Sequence, residues 1–244
     1  MCGRYALSKL PAELIEEFEI HTGKTLPTLP ADWNIAPTKP IYIIRQAAGT
    51  EMKLKRELSI ASWGLIAPWS KNEVDAVKSQ SIAINARTES VDEKPTFKNA
   101  FRSRRCLIPA DGYYEWATEL GMPAKQPFYI SRTDKKTLAF AGIWDRWVSP
   151  SGEIRESASI ITREAVSPLA EIHHRMPTFL PVDRWDMWLD SNLHEVSAIR
   201  SLMNIPSPAE GLQAYPVDKA VNLVRNNGAH LTAPIELGEP ETLF

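Results

Sequence analysis

Long apolar runs are missing: no stretch of eighteen or more apolar residues occurs in the 244-residue chain, so no segment reads as a membrane-spanning helix. The start, MCGRYALSKLPAEL, lacks the basic segment, apolar run and cleavage site of a secretory signal, which leads us to expect a cytoplasmic protein. Cysteine is scarce. Cys2 and Cys106 alone exclude a disulfide framework and are expected to be free thiols in a reducing compartment. Charge of one sign is also lacking, because 28 Lys and Arg against 30 Asp and Glu leave a net −2, so any attraction to nucleic acid must come from a local patch. Five histidines are present, but none stands in an HxxxH or HExxH arrangement and no CxxC occurs, so no metal site is expected. GxGxxG, GxxxxGK[ST] and GxSxG are absent too, which removes the usual signatures of dinucleotides, nucleoside triphosphates and α/β-hydrolases; no cofactor is expected.

What is present is enough apolar material, 43%, for a sizeable core, and no repeat or shift of composition divides the chain, so one domain over residues 1–244 is expected. Leu14, Ile15 and Phe18 at helical spacing behind Pro11 predict a helix from Pro11 to Ile20. Strand-like runs follow at Ile41 to Arg45, Lys53 to Trp63, Ser81 to Ala86, Cys106 to Ala110, Tyr113 to Ala117, Pro127 to Ser131, Thr137 to Trp144 and Ser157 to Thr162. Asp111-Gly112 is a turn signal that predicts two strands joined by a tight turn, with Glu115 on the second. Helical patterning returns at Pro181 to Leu189 and His194 to Leu202, and β-like pieces close the chain at Gln213 to Val217 and Val221 to Arg225. Linkers are expected at Thr22 to Pro30, Ser70 to Lys78, Ser149 to Glu156 and Ile205 to Gly211. Strands and helices mixed without βαβ alternation predict the α+β class.

Cys2 is the most informative residue. Its side chain is small enough for Met1 to be removed, which would leave a 1,2-aminothiol whose amine (reference pKa about 7.7–8.0) and thiol (about 8.5) are both partly nucleophilic at neutral pH. An aldehyde meeting that pair forms a Schiff base with the amine, and the sulfur then closes a thiazolidine ring. A cysteine at position 2 is equally a small residue at a frayed end, so the reading needs partners. Asn85, Glu115 and His173 offer an amide, a carboxylate and an imidazole for proton transfer. Each has an ordinary alternative: Asn85 as a turn cap, Glu115 as an arginine's partner on a sheet, His173 as a helix cap. Arginines at 4, 87, 175 and 225 and in FRSRRC at 101–106 suggest phosphate contacts, with Trp63 or Trp69 as a stacking face for a base.

The segments MCGRY (1–5), NIAPT (34–38), WGLIAPW (63–69), INARTES (84–90), FKNAFRSRRCLIPADGYYEW (97–116), IHHRMP (172–177) and VNLVRNNG (221–228) stand in one order along nearly the whole chain. Together they resemble the SOS-response-associated peptidase family, whose members process abasic sites in DNA. The resemblance implies a single α+β domain around a curved, largely antiparallel sheet or barrel with peripheral helices and a basic groove. It implies Cys2 as crosslinking nucleophile, with Asn85, Glu115 and His173 as its catalytic companions, and gives His174, at the variable position of IHxRMP, no role. It further implies DNA contacts at Arg4, Asn34, Trp69, Arg87, Thr162 and Arg175, and a partner of single-stranded DNA carrying abasic sites, including single-strand/duplex junctions. Trp33 before NIAP and a longer loop from Ser70 to Ser81 depart from the pattern, the second leaving open how a duplex end is met. Two other classes remain open from the residues alone: a peptidase using Cys2 on other proteins, and a non-catalytic reader of modified or single-stranded DNA.

Overall fold

The computed structural model describes residues 2–21, 28–47, 55–117 and 125–237. Met1, residues 22–27 of the linker expected from Thr22 and residues 53–54 of the strand expected from Lys53 lie outside this description. β-Branched and aromatic runs form the strands β1 (Tyr5–Leu7), β2 (Asp32–Ile35), β3 (Pro40–Gln46), β4 (Arg56–Trp63), β5 (Asn85–Arg87), β6 (Arg105–Ala110), β7 (Gly112–Ala117), β8 (Gln126–Arg132), β9 (Leu138–Val148), β10 (Ile154–Glu164), β11 (Arg175–Pro177) and β12 (Leu212–Pro216). Between them stand the helices α1 (Pro11–Glu17), α2 (Glu73–Ile82), α3 (Pro95–Ser103), α4 (Trp185–Leu189) and α5 (Val196–Leu202).

β9, β6, β3, β4 and β10 pair in sequence around a ring that closes because β10 returns to β9, so this barrel has no open edge. Only the β4–β10 pairing in the ring is parallel. Beyond its contact with β4, β10 runs on and takes β5 and β11 as further neighbours. A second, wholly antiparallel sheet follows the order β12-β8-β7-β1-β2. One buried cluster joins the two: Tyr5 of the second sheet meets Trp63 and Phe140 of the barrel edge-on at 5.3 and 6.0 Å between ring centroids, and Tyr113 meets Phe140 at 6.1 Å. The protein is α+β, as its mixed pattern predicts.

Four expectations are overturned. Asp111-Gly112 does not close a hairpin, since β6 pairs with β3 and β9 whereas β7 pairs with β1 and β8. It is a corner where the chain leaves the barrel for the other sheet. The Asp111 carboxylate holds the corner by accepting the backbone N–H and hydroxyl of Ser8 at 2.6 and 2.7 Å, and a Cβ on Gly112 would lie 2.4 Å from the Tyr129 ring. The linker expected at Ser70 to Lys78 and the strand at Ser81 to Ala86 give way to α2 followed by β5. Asn72 caps α2 by accepting the Asp75 N–H at 2.9 Å, but only Ala76 of the helix is buried, so no apolar stripe betrays it. Val221 to Arg225 is a short 3-10 turn and loop, because Asp218 caps it at Ala220 and Val221 alone is buried.

The FRSRRC cluster also proves structural in part. Arg105 is 2% exposed, and its guanidinium donates to the carbonyls of Phe101, Arg102, Trp188 and Leu193 at 2.9, 2.7, 2.6 and 3.1 Å and to that of Asp190, tying α3 and α4 to β6. Burial pushes its pKa down to about 10, which leaves it charged at neutral pH. Arg104 is engaged by Asp145 at 2.9 Å. Arg105→Leu strands these carbonyls without donors and is expected to cost about 3–5 kcal/mol, read as a lower urea midpoint. An unchanged midpoint would mean the clamp carries no stability.

Candidate active site and nucleic-acid interface

Cys2 lies just before β1, whose position is set by pairing with β2 and β7 and by the Tyr114 N–H donating to the Arg4 carbonyl at 2.9 Å. The residue is fully buried. Asn85 begins β5, in register with Ile160 of β10, and its Nδ2 donates to the Cys2 carbonyl at 2.8 Å. Glu115 comes from the middle of β7, opposite Phe128, and is 3% exposed. His173 follows a 3-10 turn at Leu169–Glu171; its Nδ1 accepts the Arg175 N–H at 3.0 Å and lies 3.8 Å from the Glu115 Oε2. Asn85 is thus bonded to Cys2, His173 stands beside Glu115, and the Glu115 carboxylate is close enough to act on the Cys2 thiol.

Burial sets the electrostatics. It pushes Glu115 up from 4.5 to about 7, with the terminal ammonium and Lys125 pulling the other way. It raises the Cys2 thiol well above its ordinary value, and the Glu115 carboxylate adds to this. His173 is lowered, again chiefly by burial. At neutral pH the sulfur is therefore a thiol and the imidazole neutral. Nδ1 lies 3.0 Å from the Arg175 nitrogen and 3.2 Å from its carbonyl oxygen, so the Arg175 backbone can meet either tautomer of the neutral ring. Cys106, also a free and buried thiol, is displaced upward by desolvation and stands in the barrel wall.

The residues expected to touch DNA fall into two groups. Arg4 Nη1 donates to Asn34 Oδ1 at 2.7 Å and to the Val221 carbonyl at 2.9 Å. Asn34 is fully buried, and its Nδ2 donates to the carbonyls of Val221, Leu223 and Asn226, so it holds Arg4 against the 221–226 loop. Thr162 is likewise covered, and its carbonyl accepts from Arg175 at 2.7 Å. Arg175 is itself bonded twice to Glu89, whose carboxyl the guanidinium holds down to about 2. Arg87 and Trp69 are exposed, Trp69 to 54%, and Trp69 lies beside Lys71, Lys78 and Ile82 in a surface hollow of about 350 Å³. Asn34 and Thr162 thus lie behind the surface, whereas Arg87 and Trp69 are on it.

Sequence reading passed over two features. Trp116, half-buried, lies 5.8 Å beneath the Arg4 guanidinium and donates through Nε1 to Asn222 at 2.7 Å; its place next to Glu115 on β7 was the available signal. Tyr5 and Tyr113 are buried within electrostatic reach of Cys2, a proximity no spacing reveals.

Residues 1–224 match the family described as SOS response associated peptidase (SRAP). The chain belongs to this family. It is 34% identical over 232 residues to the abasic site processing protein YoaM of Bacillus subtilis, covering 95% of this chain and 97% of that one. It is 35% identical over 208 residues to the abasic site processing protein HMCES of Gallus gallus, covering 77% of this chain and 60% of that longer protein. Among solved structures, a Bacteroides thetaiotaomicron protein superposes with a TM-score of 0.83 at 26% identity, covering 96% of this chain and 100% of that one.

The Glu115 carboxyl yields a pH prediction. A pKa raised from 4.5 to about 7 means that its contribution to stability is complete below 4.5 and is lost as pH rises through 7. The loss is about 3 kcal/mol. Glu115→Gln removes it, so denaturant unfolding at pH 4.5, 6 and 8 is expected to find the variant gaining on the parent by about this amount. A difference that stays flat across the series would place the carboxyl's pKa near its ordinary value.

Proposed function

We propose that the protein captures abasic sites in single-stranded DNA by forming a covalent adduct at Cys2, once Met1 has been removed. The observation that carries this reading is the burial of Cys2 against Asn85 within the field of Glu115, in a family whose relatives are named abasic site processing proteins.

The chemistry balances without a cofactor. The neutral Cys2 amine adds to C1′ of the ring-opened sugar, and the carbinolamine loses its hydroxyl as water, taking a proton from Glu115, which at a pKa of about 7 retains one near neutrality. The sulfur then attacks the iminium carbon while its proton passes to the Glu115 carboxylate or to neutral His173. One aldehyde, one amine and one thiol give one thiazolidine and one water. Loss of the iminium removes the electron sink that drives β-elimination, so the strand is shielded from cleavage. Asn85 holds the Cys2 backbone; Arg4 and Arg87 serve the phosphates, with Arg175, 6% exposed and paired with Glu89, behind them; Trp69 offers a stacking face at a single-strand/duplex junction. The same groups run in reverse release the adduct, and self-removal of Met1 is a second activity in keeping with the family's peptidase name.

On a denaturing gel, the protein mixed with abasic single strands is expected to give a shifted band that intact strands do not give, and Cys2→Ala or a blocked amino terminus abolishes it. A band that survives the blocked terminus would put the nucleophile elsewhere. Glu115→Gln is expected to slow release of the preformed adduct by about 10²-fold or more, the ordinary contribution of a proton-transfer group; release at the parent rate would remove Glu115 from the mechanism.

A further inference from the structure

His174 fills the variable place in the IHxRMP segment and has no part in the chemistry above. Its ring nevertheless stacks on that of His173, with centroids 4.3 Å apart and planes inclined by 30°. His174 is exposed, whereas the His173 side chain is 20% exposed, so the outer imidazole covers one face of the inner one. The His174 backbone is itself held, its carbonyl accepting the Ala165 N–H at 3.0 Å.

The inner ring needs such a cover. Its Nδ1 accepts from the Arg175 N–H at 3.0 Å, and the same nitrogen lies 3.2 Å from the Arg175 carbonyl and 3.8 Å from Glu115 Oε2. The second side-chain torsion of histidine is broad and roughly two-fold. A second ring lying against the first, at 4.3 Å between centroids, restrains that torsion.

We propose that His174 is a positioning residue for His173: the outer ring holds the inner imidazole with Nδ1 at the Arg175 backbone and beside Glu115, the orientation it brings to proton exchange with the adduct. This rests on the role assigned to His173 under the proposed function. The charged groups around His173 are Glu115 of β7, Lys125 before β8, the terminal ammonium and His174 itself; all but Glu115 disfavour the imidazolium when they are positive. His174 therefore also favours a neutral, proton-accepting His173.

The test compares His174→Ala with His174→Phe, which retains a stacking ring but cannot titrate. Imidazole nitrogen NMR on the DNA-free protein reads the His173 tautomer and titration directly. In the Ala variant His173 is expected to titrate at higher pH and to change its balance of tautomers, while the Phe variant keeps the parent's balance. With an abasic single strand at pH 7, the Ala variant is expected to form adduct about threefold to tenfold more slowly, part of the 10²–10⁴-fold that a proton-transfer group supplies, with the Phe variant within about twofold of the parent. A tautomer and titration unchanged in the Ala variant would overturn the inference, whatever the adduct assay gives. Should the parent form no adduct while His173 responds as described, the proposed function falls and the positioning of His173 by His174 stands.

Discussion

A 2.8 Å hydrogen bond from the Asn85 amide to the Cys2 carbonyl joins the beginning of the chain to β5, and through β5 to the long strand β10. Chain ends ordinarily fray, and a nucleophile one residue from the end would wander with them. Here β1 is paired on both sides, and Asn85 holds the residue before it. Cys2 is thereby held in the defined position that the proposed reaction requires of it.

The second consequence of that placement is dielectric. Burial drives the Glu115 carboxyl up to about 7 and the His173 imidazole down, so near neutrality the carboxyl is partly protonated and the imidazole uncharged. Side by side, they are the acid and base that the proposed reaction calls for. The Cys2 thiol is pushed well above its ordinary value, which in the proposed reaction leaves the first step to the amine.

The arginines divide by what holds them. Arg105 is spent on main-chain carbonyls, and Arg175 is largely neutralised by Glu89, while Arg4 is steered by Asn34 and the 221–226 loop onto the face of Trp116. A guanidinium restrained on one edge by protein carbonyls presents its remaining donors in a defined direction. Asn34 and Thr162 act behind these arginines, which is why their motifs accompany the surface residues while their own side chains stay covered.

Sequence alone determined the class of the fold, most of the barrel strands and the chemistry available to residues 2, 85, 115 and 173, because alternation, β-branched runs and ordered motifs are local properties that survive without a third dimension. It did not reveal α2, whose faces carry no apolar stripe, nor the exit of the chain from the barrel at Asp111, where a hairpin signal is overridden by partners more than a hundred residues away. Tertiary structure alone decided that Cys2 is buried, that Arg105 is a clamp, and that Glu115 keeps its proton towards pH 7. Each of these depends on water excluded by residues distant in the chain, and solvation is a property of the assembled fold that no single segment contains.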